Sequence, residues 1–161
     1  MRIQSGEKRR IFIEDAQDVT VELAGEGAAV ELYGLVKASG TEEVTTKARI
    51  VHQAPRTKST TVVRGVLEGK ACNDFQGLIR VEAQAKGAEA SLRYDALLLS
   101  PEAKAKALPS LEILTEDAKV YHAASITNLD EEKLFYLQSR GLNRREAEQV
   151  IVTGFVKAVK K

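Results

Sequence analysis

Three side chains in this sequence could ligate a metal: His122, Cys72 and His52. A neutral imidazole is a good ligand for iron and titrates near neutral pH, and a cysteine thiolate binds soft metal centres. One cysteine and two histidines cannot form a closed four-ligand site. If the chain holds a metal, we therefore expect a second subunit to complete the site.

Each of these side chains also has a purely structural interpretation. His122 follows an alternating run and could be a hydrogen-bonded residue near a strand end. His52 precedes the Ala54-Pro55 turn and could cap or pack that turn. Cys72 precedes Asn73 and Asp74, which offer no positive charge to activate a thiolate, so a small strand residue is the simpler interpretation.

The elements that would position these residues are mostly strands. From Ile11 to about His122, apolar and polar residues alternate in short runs, most strictly over residues 88–98. This period indicates strands with one buried face. Glycines, among them Gly27 and Gly87, and two Xaa-Pro sites separate the runs. The irregular spacing between runs fits a sandwich, a jelly roll or an irregular β-solenoid, and the pattern alone leaves all three open.

After Thr127 the period changes to that of helices. Residues 130–132 place three acids in a first helical turn, and Gly141 is a natural stop. Asn143 and Glu146 resemble a capping box that begins a second helix, with lysines between positions 157 and 161 at its end. Its predicted apolar face comprises Ala147, Val150, Ile151, Gly154 and Phe155. We therefore predict a β-rich domain over residues 1–126 and a helical region over residues 127–161.

Composition and absent motifs narrow the class of protein. The chain has 161 residues, with 24 basic against 23 acidic side chains, so a nucleic-acid partner has no support from charge. No run is apolar enough for a membrane span, and the lone cysteine suits a reducing cytoplasm. No phosphate-binding loop and no nucleophile–base pair occur, so we expect neither ATP binding nor enzymatic activity.

Six segments resemble one family in their order and spacing. They read HQAPRTKS over 52–59, FQGLI over 75–79, DALLLS over 95–100, PSLEI over 109–113, HAAS over 122–125 and LFYLQSRG over 134–141. Together they resemble the SufB/SufD family, the scaffold-side subunits of the SUF iron–sulfur cluster assembly machinery. The resemblance runs from about position 50 to position 155, and the segment 1–49 fits only loosely, as strands.

The resemblance implies a right-handed parallel β-helix core followed by C-terminal helices. It also implies pairing with a second subunit, either another copy or a SufB-like chain, and docking of a SufC-like ABC ATPase on the helices. The docking candidates are Phe135, Ser139, Arg140 and Gly141. His122 matches a SufD histidine, so an iron–sulfur cluster bound transiently at the subunit interface is the expected cargo.

The departures from the family pattern bear on that chemistry. Ala103 stands where SufB carries a cysteine, and Ala123 where SufB carries an acid beside the histidine. Val120 stands where SufD has a cysteine. The chain is thus expected to be a shorter relative, closer to SufD than to SufB.

Three hypotheses about function follow. The first is a non-catalytic scaffold for cluster assembly, and the second is a truncated dimerisation or regulatory module that binds no cluster. The third, which the strand pattern alone permits, is an all-β sugar- or small-molecule-binding enzyme with a carboxylate-lined groove.

Overall fold

A computed structural model describes residues 1–14, 18–157 and 159. Within them the chain forms ten strands followed by two helices. The bounds are β1 (Arg2–Ile3), β2 (Lys8–Glu14), β3 (Val19–Leu23), β4 (Ala29–Ala38), β5 (Glu43–His52), β6 (Lys58–Leu67), β7 (Cys72–Val81), β8 (Ala88–Leu98), β9 (Lys104–Ile113), β10 (Ala118–Asn128), α1 (Glu131–Ser139) and α2 (Arg144–Lys157).

The strands belong alternately to two parallel sheets. The odd-numbered strands form one sheet in the order β1-β3-β5-β7-β9, here called the odd sheet. The even-numbered strands form the other in the order β10-β8-β6-β4-β2, the even sheet. Every neighbouring pair of strands is parallel. Successive strands alternate between the two sheets, so each coil of the chain contributes one strand to each sheet. The fold is a parallel β-solenoid of about four turns, which confirms the predicted mainly β architecture with C-terminal helices.

The coils share a regular register that the sequence pattern did not reveal. Val19 pairs with Ala48 and Ala48 pairs with Gly77, so these two steps along the chain are equal in length. The next step, from Gly77 to Pro109, is slightly longer. Equivalent positions of successive coils share their place in the backbone, and the side chains that point inward are mostly apolar. Their residue types differ from coil to coil, so the sequence shows no repeat motif.

One corner of the solenoid is built from stacked left-handed residues. Gly6, Gly27, Arg56 and Gly87 have φ values of 68°, 69°, 57° and 71°. The Gly27 amide donates to the Pro55 carbonyl at 3.0 Å, and the Arg56 amide donates to the Lys86 carbonyl at 2.8 Å. Glycine takes this conformation without steric cost, and the predicted turns at Gly27 and Gly87 are confirmed.

The core lies between the sheets and includes a polar link. The Phe75 and Tyr94 rings stack with centroids 4.5 Å apart. The Tyr94 hydroxyl donates to Asn73 Oδ1 at 2.6 Å, and the Asn73 amide donates to Thr46 Oγ1 at 3.1 Å. Burial raises the pKa of Tyr94. Gly77 leaves room for these rings, since a Cβ there would lie 3.0 Å from Phe75.

The start and end of α1 and the start of α2 are as predicted. Asp130 caps α1 by accepting from the amides of Glu132 and Lys133, both at 3.1 Å. The Gly141 amide donates to the Gln138 carbonyl at 2.9 Å, which closes the helix end. The capping box of α2 is reciprocal: the Asn143 amide donates to Glu146 Oε2 at 2.8 Å, and the Glu146 amide donates to Asn143 Oδ1 at 3.0 Å.

Helix α2 packs on the outer face of the even sheet. Its apolar face differs from the prediction, because Val150 and Gly154 are exposed while Val152 and Val156 face the protein. The sheet-side contacts of this cluster are Tyr33, Leu35, Val62, Val66 and Leu99. The lysines at 160 and 161, predicted at the end of this helix, lie outside the described residues. In the described chain, neither helix has the length and apolar content to cross a membrane.

Candidate functional site at the open end of the solenoid

The last coil leaves two long strand edges open. β9 is the terminal strand of the odd sheet and β10 the terminal strand of the even sheet. Among the described residues, no strand pairs with the far side of either. Such edges present unpaired backbone donors and acceptors and therefore favour pairing with another chain.

The interior is also uncovered at this end. Ala107, Leu111 and Val120 pack against the main core but are only half-buried. Ile113 and Ile126, which continue the inward-facing columns, are 43% and 45% exposed. The open end therefore combines apolar side chains with free strand edges.

His122 lies on β10 at the mouth of this interior. It pairs in register with Leu92, which pairs with Thr61, and both are buried residues of the inward set. The imidazole itself is exposed. Of its predicted neighbours, Val120 is half-buried and Ala123 is exposed. His122 is thus an inward-column residue that no further coil covers within the described chain.

His52 is placed very differently. Its side chain is fully buried, with Nδ1 2.8 Å from Thr57 Oγ1 and Nε2 2.8 Å from Ser59 Oγ. Thr57 donates its single hydroxyl proton to the Ala54 carbonyl at 3.0 Å. It must therefore accept from His52 Nδ1–H, which leaves Nε2 to accept from Ser59. Burial lowers the pKa of His52 to about 4. Both nitrogens of this neutral imidazole are engaged in holding the turn.

Cys72 lies apart from both histidines. It begins β7, is half-buried, and pairs in register with Glu43 and Lys104 on the neighbouring strands. Within residues 1–14, 18–157 and 159, no group of three or more His, Cys, Asp or Glu side chains could hold a metal ion. The three sequence-predicted ligands are therefore not brought together within the described part of one chain.

The helical hairpin presents the predicted docking residues to solvent. Phe135 is 74% exposed, and the Arg140 guanidinium lies 5.3 Å from the Tyr136 ring centroid. Ser139 Oγ donates to the Tyr136 carbonyl at 2.7 Å. Gly141 has a φ of 96°, which glycine adopts most readily. The exposed side of α1 is therefore aromatic and basic at its C-terminal end.

Arg144 forms ion pairs with acidic residues of both helices. Its guanidinium contacts both carboxylate oxygens of Glu131 on α1, at 2.8 and 3.2 Å, and Glu148 on α2 at 3.0 Å. Two-pronged pairs of this kind are more specific in geometry than single contacts. These pairs connect the start of α1 to the start of α2.

A buried charged pair beneath α2 was missed by the sequence analysis. Asp95 on β8 and Arg64 on β6 have side chains only 5% and 18% exposed. Burial raises the pKa of Asp95, but hydrogen bonds from Arg93 and Ser125 outweigh it, so the pKa lies below its usual value. The available signal was a single charge inside each of two apolar runs, around positions 62–66 and 94–99.

Comparison with known proteins identifies the family. The family model described as SUF system FeS cluster assembly, SufBD core domain, matches residues 15–155. The match extends well into the N-terminal segment 1–49, where the motif resemblance was loose.

Several curated proteins are similar over most of this chain. A chloroplastic iron–sulfur cluster assembly SufBD family protein of Arabidopsis thaliana is 29% identical over 87% of the chain and 25% of its own length. SufBD family proteins of Mycobacterium tuberculosis and Staphylococcus epidermidis are 33% and 32% identical, over 86% and 83% of the chain. The chain spans 16% and 29% of those two relatives. Their names do not separate a SufB-like from a SufD-like role. Because this family model matches residues 15–155, most of its length, the chain belongs to the SufBD core domain family of the SUF iron–sulfur cluster assembly system.

Proposed function

We propose that this chain is a non-catalytic scaffold component of SUF-type iron–sulfur cluster assembly. It pairs through the open end of the solenoid and receives an ABC-type ATPase on its C-terminal helices. The observation that carries the proposal is the last coil, where free strand edges, uncovered apolar side chains and His122 occur together.

Pairing at the open end has a direct physical reason. β9 and β10 are 10 and 11 residues long, well within the length at which edge strands add to another sheet. A partner that continues the two sheets would cover the half-buried columns and satisfy the free backbone groups. The partner is either a second copy of this chain or a SufB-like subunit.

In this proposal the iron–sulfur cluster is cargo that two subunits hold between them. His122 would supply one ligand, because its imidazole is exposed at the edge that the partner covers. The described part of this chain offers no set of three ligands, so the remaining ligands come from the partner. His52, whose nitrogens are both hydrogen-bonded, and Cys72, on a different strand, take no part.

The pairing is tested by two substitutions on the same strand. Val120→Lys puts a charge into the half-buried inward column, whereas Tyr121→Lys puts the same charge on the opposite, exposed face. In native mass measurements at micromolar concentration, we expect Val120→Lys to lose the dimer, or its complex with a SufB-like chain, and Tyr121→Lys to keep it. Equal behaviour of the two variants would contradict pairing at this end.

The cluster is tested by anaerobic reconstitution of the paired protein. We expect His122→Ala to lose most of the bound iron and the associated visible absorbance, while Lys119→Ala, an exposed control on the same strand, keeps them. Retention of iron by His122→Ala would remove His122 from the site.

A second candidate function is a dimerisation or regulatory module that binds no cluster. It is favoured by Val120 and Ala123, which flank His122 with aliphatic side chains in place of a thiol and an acid. Under this alternative the wild-type pair binds no iron after reconstitution, and His122→Ala still pairs normally.

ATPase docking is tested on α1. Phe135 is 74% exposed, so its removal should leave the fold intact. We expect Phe135→Ala to abolish co-purification with a SufC-like ATPase, whereas Lys133→Ala, on the opposite side of the helix, should not. Unchanged binding by Phe135→Ala would place the ATPase elsewhere.

A further inference from the structure

A row of polar residues crosses the even sheet beneath α2. Leu35 on β4 pairs in register with Arg64 on β6, Arg64 with Asp95 on β8, and Asp95 with Ser125 on β10. Three of these four residues are polar, although the cluster above them is built from apolar side chains. Burying charge under an apolar helix costs free energy unless it is paired.

The contacts in this row connect α2 to β10. Arg64 Nη1 donates to the Phe155 carbonyl, and the guanidinium carbon lies 4.7 Å from the Phe155 ring centroid. Arg64 Nη2 lies 3.8 Å from Asp95 Oδ2. Ser125 Oγ donates to Asp95 Oδ1 at 2.7 Å. A continuous series of polar contacts therefore runs from the helix, through two charged side chains, to the edge strand.

Arg64 divides its donors between the helix and the sheet. Its Nε is buried and has no hydrogen-bond partner among the described residues. At 3.8 Å its contact with Asp95 is longer than a hydrogen bond. If α2 moves away, the guanidinium loses the Phe155 carbonyl and can close on Asp95, which also accepts hydrogen bonds from Ser125 and Arg93. The position of α2 thus determines how Asp95 is shared.

We propose that Arg64 and Asp95 couple the position of α2 to the edge strand β10. Ser125 is three residues from His122 on that strand. A partner that draws α2 away would thereby let Arg64 close on Asp95 and tighten the edge strand that carries the histidine. This inference rests on the proposed docking at the helices and pairing at the open end, and it assigns Arg64 and Asp95 as positioning residues.

The coupling is tested by hydrogen exchange on the full chain alone, without partner or cluster. We expect Arg64→Met, a change on β6, to speed exchange in β10 by about ten-fold, and Asp95→Asn, a change on β8, to do the same in α2. Lys58→Met is the matched control, because Lys58 also forms an ion pair from β6 to β8, with Glu89 at 3.0 Å, but is 62% exposed and lies at the start of β6, six residues from Arg64. It should leave α2 unchanged.

A double-substitution cycle separates coupling from simple loss of stability. Val152→Ala loosens α2 without touching Arg64. We expect it to slow exchange in β10 when Arg64 is present, because the released guanidinium closes on Asp95, and to have no effect on β10 in the Arg64→Met background.

Effects confined to the immediate neighbours of each substitution would overturn the proposal. So would an equal rise in the inner strands β5 and β7, which reports general unfolding. These exchange experiments use the chain without a partner, so they are independent of the docking and pairing tests. The coupling test can give a negative result while the docking and pairing tests are positive, and it can be positive while they are negative.

Discussion

At the scale of single residues, the two histidines lie in opposite environments. His52 has both nitrogens committed to hydroxyl groups and is fully buried, whereas His122 is exposed at an edge strand. The position of His52 before the Ala54-Pro55 turn suggested a turn-packing role as one interpretation, and its polar contacts fit that interpretation. The partners of His52 are local, since Thr57 and Ser59 lie five and seven residues away in the chain. The exposure of His122 arises because no described strand pairs with the far side of β10, which a local sequence pattern does not reveal.

His52 should make the stability of the fold depend on pH. Its pKa is about 4 in the folded protein and 6.5 ordinarily, so between these values the unfolded state binds more protons. Its contribution is therefore fully present above pH 6.5 and is lost as the pH falls from 6.5 to 4. The full difference amounts to about 3 kcal/mol.

Urea unfolding at a series of pH values measures this effect. We expect His52→Asn to be less stable at pH 7 but to show a shallower loss between pH 6.5 and pH 4 than the wild type. Parallel curves for the two proteins would show that His52 does not carry the pH dependence.

At the scale of elements, the sequence predicted strands, turns and helix caps well, because these depend on neighbours in the chain. The capping box of α2 and the stop at Gly141 are set by residues three or four apart. The face of α2 was predicted less well, because the sheet beneath it decides which side is buried. The Arg64–Asp95 pair was not predicted, since its partners lie on successive coils and meet only through the coil register.

Two glycines offer a test of how tightly the elements pack. At Gly77 a Cβ would lie 2.8 Å from Leu92 and 3.0 Å from Phe75, whereas at Gly154 on α2 nothing lies within 4 Å. We expect Gly77→Ala to destabilise the fold by about 1–3 kcal/mol through overpacking. Gly154→Ala should stabilise it by up to about 1 kcal/mol, because alanine favours the helix.

Denaturant midpoints for the two variants decide this point. The outcome that would contradict the described packing is a Gly77→Ala protein as stable as the wild type.

At the scale of the whole molecule, the solenoid arrangement itself was left open by the strand pattern and was implied only by the family resemblance. Successive coils repeat the position of the backbone, but the inward-facing residues need only be apolar. The sequence therefore contains no residue motif that repeats at the length of a coil. The open end was likewise not visible in the sequence, because β9 and β10 read like any other strands.

Protection of backbone amides should fall towards the open end. In dilute, monomeric protein we expect β9 and β10 to exchange about ten-fold faster than β5 and β7, which have neighbours on both sides. Raising the protein concentration, or adding a SufB-like chain, should slow exchange in β9 and β10 specifically. Uniform protection of all strands in the monomer would show that the last coil is not open.

The packing of α2 has a consequence for how the chain folds. In a solenoid each coil contacts only its neighbours, so folding can begin at any coil and proceed by local steps. Helix α2 departs from this rule, because it follows the last coil in sequence yet rests on side chains of β4 and β6. Its docking must therefore wait until those earlier coils have formed. Without α2, the terminal coils could unfold one at a time. The packing of α2 on earlier coils is a long-range contact that forms after them, and it makes the folding of the chain more cooperative.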